Sequence, residues 1–225
     1  MVAPSKHDPL NRTSLTAAAR GLAARDPDLA RIFNVYGEPP LWRRPTGFPT
    51  LVKIILEQQV SLSSAASMFA RLKTAIIPFS PERFLEVGEP YLRRLGVTRQ
   101  KSGFLIHLSA SVVNGHLNLR RLSRMSDENA RLLLTSLKGI GLWSADVYLL
   151  MAMRRGDIWP AGDLALAAAV QQLKGLAKRP GPGELELLAE VWRPHRAVAA
   201  RMLWQFYLGE KARAKKSQKT RITSK

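Results

Sequence analysis

Between Leu137 and Asp163 the chain reads LKGIGLWSADVYLLMAMRRGDIWPAGD, and two parts of it can do chemistry. A glycine-bracketed turn, Gly139-Ile140-Gly141, opens straight into an apolar-periodic segment. Glycines there allow positive φ and close backbone approach. The free N–H groups and positive dipole end of the helix that follows can hold a phosphate without reading a base. A lone carboxylate, Asp163, follows a second turn containing Pro160 and Gly162, and can supply one anion beside the phosphate. Together they point to chemistry on a nucleic acid. Each part also has a plainer use. The glycines can make a tight helix–helix connection, and Asp163 can cap the helix after it.

Those residues need a scaffold, and apolar residues recur at helical spacing nearly throughout while alternating strand patterns are scarce. The caps and breakers predict helices from Ser14 to about Arg25 and from Asp28 to Tyr36, and one starting at Pro49. Ser61, Thr98, Ser126 and Asp163 are read as N-caps, Ser80-Pro81 and Pro90 as two further helix starts. The helix after Gly141 is expected to reach about Met153, the one after Asp163 to break at Arg179–Gly183, and the last two to span Glu184–Val191 and Pro194–Gly209. The segment 126–153 is then a helix-hairpin-helix. Residues 1–13 read as a flexible N-terminus, 14–210 as the folded region, and 211–225, basic and without an acid, as a disordered tail that adds phosphate attraction or is simply solvated.

A chain of 225 residues can bury a full core, as one large domain or two small subdomains. Lys and Arg number 35 against 17 Asp and Glu, a net charge of +18 that favours a polyanion, nucleic acid before anionic membrane. No apolar run is long enough to span a bilayer, no strongly basic amphipathic helix suggests a membrane surface, and the N-terminus shows no secretory pattern. The absence of cysteine excludes disulfides, a thiol nucleophile, zinc–thiolate sites and a cysteine-ligated iron–sulfur cluster. His7, His107, His116 and His195 have no metal-ligand spacing. A cytoplasmic, nucleoid-associated protein is expected.

LKGIGLWSADVYLL followed by WPAGDLAL resembles the helix-hairpin-helix DNA glycosylases that carry a Gly/Pro…Asp signature (HhH-GPD), and most of all their 3-methyladenine DNA glycosylase II (AlkA-like) type. ILEQQVSLSSA, LGVTRQKSGFLIHLS and WRPHRAVAARMLW are similar to further family segments in the family's order, so the resemblance runs from about Thr46 to Gly209. It implies an all-α fold of two helical subdomains with the active-site cleft between them, without the extra β-domain of the longest members.

The resemblance also implies roles. Asp163 becomes the catalytic carboxylate, stabilising an oxocarbenium-like sugar and orienting water. Bifunctional relatives carry a Lys where this chain has Trp143, so a monofunctional enzyme without lyase activity is implied. Trp143 would offer an indole face to a cationic alkylated base, or serve as core. Trp204 falls on a pocket aromatic of the last helix, with helix packing as its alternative. Trp42 and Tyr148 are further pocket candidates, and Val147 stands where long members have a second pocket tyrosine. Gln59 falls on the wedge that fills the gap left by a flipped nucleotide, with Gln58 supporting its loop; a polar helix end is the alternative. Gly139, Ile140, Gly141 and Trp143 would bind phosphate through backbone. Lys101 and Arg196 suit either DNA-backbone contacts or intramolecular pairs.

The expected function is therefore removal of alkylated purines, 3-methyladenine and 7-methylguanine foremost, in base excision repair. The expected partner is double-stranded DNA holding a damaged base, bound by a monomer. No redox cofactor or catalytic metal is required on this reading. A structural Na+ or K+ on the carbonyls of Thr135, Leu137 and Ile140 is a carry-over from some family hairpins. Two rivals are a glycosylase of this fold acting on an oxidised or deaminated base, and a non-catalytic hairpin DNA-binding protein.

Overall fold

The computed structural model describes residues 9–223, and among these residues it contains helices and turns with no strand. Residues 1–8 of the expected loose N-terminus, and 224–225 of the expected tail, lie outside the described residues. The chain divides into two units: residues 1–42 with 154–225, and residues 43–153.

The first unit holds α1 (Arg12–Arg25), α2 (Pro27–Tyr36), α10 (Leu164–Lys174), α11 (Pro182–Ala189) with a 3-10 turn at Glu190–Trp192, and α12 (Arg196–Thr223). Helix α12 is its axis and packs on α1, α2 and α10. Ala197, Val198, Ala199, Ala200, Met202 and Leu203 bury a continuous stretch of it. Its start is pinned by Arg196, whose guanidinium donates to the Asp157 carboxylate and carbonyl and to Glu190. Of the two roles open to Arg196, the structure shows the intramolecular pair.

The second unit holds α3 (Phe48–Glu57), α4 (Leu62–Ala75), α5 (Pro81–Arg94), α6 (Arg99–Val113), a one-turn α7 (Leu119–Leu122), α8 (Asp127–Thr135) and α9 (Leu142–Val147), which continues into a π turn at Tyr148–Ala152. Helix α3 buries every residue except Pro49 and Lys53, and packs on α4, α6, α9 and the π turn. Phe48 at its start joins Phe69, Phe79 and Phe84 in an aromatic cluster of edge-to-face and tilted pairs.

Most helix starts follow local chemistry. Ser61, Thr98 and Ser126 each accept the N–H three residues on, a cap worth about 1 kcal/mol. The two expected helices on either side of Gly88 form one element kinked at that residue, whose φ is +68. Three expectations need correction. Helix α1 is capped by Asn11, with Ser14 at N3 closing a reciprocal capping box, and Leu10 is buried, so residues 9–13 are ordered. Helix α10 ends at Gly175, in the left-handed conformation, before the Pro/Gly run. The segment read as a disordered tail continues α12 to Thr223. Gly209 is no helix stop, because a side chain there would strike the Tyr36 ring within 2.2 Å. Beyond it Ala and Lys favour helix, and Glu210 pairs with Arg213.

Candidate functional site

In the first unit the site is built around Asp163. The turn Trp159–Gly162 delivers it as the N-cap of α10, where Oδ1 accepts the N–H groups of Ala165 and Leu166, each at 2.9 Å. A third donor comes from α12: Trp204 Nε1 reaches the same oxygen at 3.1 Å. Asp163 is 9% exposed, so a buried anion is fixed by two backbone amides, an indole N–H and a helix dipole. Capping and orientation of this carboxylate are thus one arrangement.

Trp42 lies edge-on to Trp204, with centroids 6.3 Å apart. Its backbone stands at φ +22, a conformation that costs energy unless neighbours hold it. Arg201, fully buried on α12, donates to Leu41 O and, at 3.0 Å, to Trp42 O. Burial lowers the Arg201 pKa to about 10. The Asp163–Trp204–Trp42 group therefore brings together three of the sequence candidates, with Arg201 as a support that the sequence did not reveal. A buried Arg leaves no local pattern that would have marked it.

In the second unit the hairpin forms as read. Helices α8 and α9 pack together, and the turn between them is lined by a groove of about 540 Å³. Thr135, Leu137, Gly139, Ile140 and Gly141 line it, joined by Gln58, His107 and Lys138. The two glycines differ. Gly139 has φ +89, and a Cβ there would meet Phe104 at 2.2 Å, so the fold demands glycine. Gly141 has φ −87, so only Gly139 uses the positive φ that glycine allows, and a Cβ at Gly141 would enter open space. Nothing inside the protein requires glycine at 141. The approach to the α9 amides is open there, and no side chain caps the helix.

Gln58 supports its loop as read. Its Nε2 donates to Gly139 O at 2.8 Å and to Ser144 Oγ at 2.9 Å. Gln59 is exposed and left-handed, with φ +56, and is flanked by exposed Val60 and Leu62. Lys101 Nζ donates to Leu56 O and Gln58 O, both at 2.8 Å, so its partner is intramolecular. Partial burial lowers its pKa.

Trp143 is half-buried in the first turn of α9. Tyr148 is 2% exposed, and its hydroxyl accepts the Gly47 N–H at 3.0 Å, so the structure places it inside the second unit as a tether for the start of α3. Desolvation raises its pKa. Val147 is buried beside it. Among the described residues no cluster of His, Asp or Glu could hold a metal ion, and no helix is long and apolar enough to cross a membrane.

A family model described as HhH-GPD superfamily base excision DNA repair protein matches residues 52–194. The chain is 26% identical over 201 residues to DNA-3-methyladenine glycosylase 1 of Schizosaccharomyces pombe, covering 86% of this chain and 88% of that protein. It is 26% identical to the Bacillus subtilis protein YfjP over 79% of this chain, and spans 64% of that protein's length. Among solved structures, a Bacillus halodurans DNA-3-methyladenine glycosidase superposes with a TM-score of 0.75 at 28% identity, covering 84% of this chain and 88% of that one. An S. pombe 3-methyladenine DNA glycosylase in complex with abasic DNA has the same fold, with a TM-score of 0.75 at 24% identity and coverage of 84% and 95%.

Proposed function

Because this chain belongs to the HhH-GPD superfamily of base excision DNA repair proteins, we propose that it is a monofunctional DNA glycosylase that removes alkylated purines from duplex DNA. The observation that carries the reading is the Asp163 carboxylate, held on one oxygen by two backbone amides and the Trp204 indole. The names of the relatives, 3-methyladenine glycosylases in yeast and bacteria, support the substrate class.

In the proposed reaction the C1′–N bond of the damaged nucleotide breaks, its electron pair leaves with the base, and positive charge develops on the sugar. Asp163, already ordered, stabilises that charge without reorganising. Water adds to C1′ and loses a proton, with the Asp163 carboxylate as the base. The products are a free base and an abasic site. A purine alkylated at N3 or N7 is cationic, so it leaves as a neutral base and needs no strong general acid. Trp143, Trp204 and Trp42 each carry an indole face of the kind that attracts a cation. Trp143 carries no amine, so no Schiff base forms there and the strand stays intact.

The hairpin groove would grip a backbone phosphate while Gln59 enters the duplex. Thr135, Leu137 and Ile140 line that groove, and their carbonyls would be the ligands of a monovalent cation that adds positive charge facing the phosphate. A monomer acting on DNA near the nucleoid completes the reading.

The test is base release from duplexes that each carry one lesion, analysed with and without alkali. Release of 7-methylguanine with strand cutting only after alkali is expected. Cutting without alkali contradicts the monofunctional assignment. Release confined to oxidised or deaminated bases assigns the fold a different substrate class.

A further inference from the structure

Gln59 stands in solvent at φ +56, a conformation that persists in a glutamine only where the surroundings impose it. What imposes it comes from other elements. Leu56 O and Gln58 O lie at the C-terminal end of α3, where carbonyls lack helical partners and a cation is favoured. Lys101, in the first turn of α6, donates to both. Gln58 O belongs to the peptide unit leading into Gln59, so the ammonium holds the plane from which the Gln59 side chain departs. Through its side chain, Gln58 then ties the same loop to Gly139 O and Ser144 Oγ of the hairpin.

We propose that Lys101 is a positioning residue: its ammonium locks the Gln58–Gln59 peptide and presets Gln59 to enter the duplex in register with the phosphate-gripping turn. This rests on the reading of the chain as a base-flipping glycosylase. Ordering of the loop is then completed on folding, and less of it remains to be done when the base leaves the stack.

The experiment uses the full chain and two readouts. Base release is followed in single turnover from 7-methylguanine opposite cytosine, and opposite an abasic-site analogue, where no pair has to open. Flipping is followed in an Asp163→Asn background by 2-aminopurine next to the lesion, which brightens when its neighbour swings out. Lys101→Met is expected to slow release opposite cytosine by about 10-fold, the size of losing a charge-assisted hydrogen bond, and to abolish the brightening. The loss should shrink opposite the abasic analogue, and Lys101→Arg should restore most of it. Gln59→Ala should behave like Lys101→Met, and the double variant should be no slower than the slower single.

Equal slowing on both substrates, full additivity with Gln59→Ala, or unchanged brightening would overturn the proposal, as would a parent protein that never brightens the probe. If no protein releases base but Lys101→Met and Gln59→Ala both lose the brightening that the parent shows, the glycosylase reading falls and the positioning role stands. Should Lys101→Met fail to fold, Lys101→Gln is judged by the same criteria.

Discussion

Three N–H groups converge on Asp163 Oδ1, and one of them comes from Trp204, 41 residues away in sequence. That contact gives the indole a role beyond offering a face to a base. Trp204→Phe keeps an aromatic ring and removes only the donor and some volume. Base release should fall about 10-fold, as for loss of one hydrogen bond to a charged group, with a smaller effect on duplex affinity. Single-turnover rates beside equilibrium binding would separate the two. The cap on α10 was legible because an Asp before an apolar helix speaks through its own neighbours in sequence. The Trp204 contact was not, since an indole N–H partner is chosen by packing. Arg201 was hidden for the same reason, as were the partners of Lys101: a cation that donates to distant carbonyls has no pattern of its own.

His195, at the start of α12, bears on acid stability. Burial, and then the charge of Arg25, lower its pKa from the ordinary 6.5. Its folded-state pKa lies below the unfolded one, so the unfolded chain binds the proton more readily, and stability is lost as pH falls below about 6.5. The hydrogen bond from Tyr36 lowers the Glu210 pKa, which adds loss in the same direction at lower pH. The thermal midpoint should therefore drop between pH 7.5 and pH 5, and His195→Gln should flatten the upper part of that drop.

At the scale of the element, the two hairpin glycines answer different demands. Gly139→Ala places a Cβ on Phe104 in a backbone with φ +89, and should cost more than about 2 kcal/mol of stability. Gly141→Ser puts a good N-cap residue into open space and should leave stability within about 1 kcal/mol of the parent. It should nonetheless weaken duplex binding, because its side chain occupies the approach to the α9 amides. Thermal denaturation and DNA titration of both variants check the pair. The hairpin itself was legible from Gly139, Gly141 and Ser126, whose turn and cap chemistry is local. Its end near Met153 was legible too, but the π-helical form of its last turn, with Met153 N–H bonding Tyr148 O, was not, because no residue type there announces it. Gly209 misled in the opposite sense, since a glycine needed for close helix packing looks the same in sequence as one that ends a helix.

For the whole molecule, a net charge of +18 makes affinity for DNA strongly salt-dependent. Removal of residues 214–225 takes away five basic side chains and leaves the Tyr36–Glu210–Arg213 contacts at the end of the folded region. The slope of log affinity against log salt should become shallower by about 0.9 for each phosphate that the shortened chain no longer neutralises, with base release at saturating enzyme unchanged. Fold class was legible because periodicity, caps and charge all agreed on helices that meet a polyanion. Two subdomains were implied by the resemblance, but their boundaries were not legible, because the first unit joins residues 9–42 to residues beyond 153 and no linker composition marks either crossing.

The central claim is that the Asp163 charge performs the chemistry. Asparagine is the right probe, since its carbonyl oxygen can still accept the Ala165, Leu166 and Trp204 N–H groups and its capping strength is similar. These three contacts are kept and the charge is lost. Single-turnover release of 7-methylguanine by Asp163→Asn is predicted to be slower by about 100-fold or more, with an unchanged thermal midpoint and undiminished binding to a duplex holding an abasic-site analogue. Release at the wild-type rate by a folded, DNA-binding Asp163→Asn protein would contradict the account.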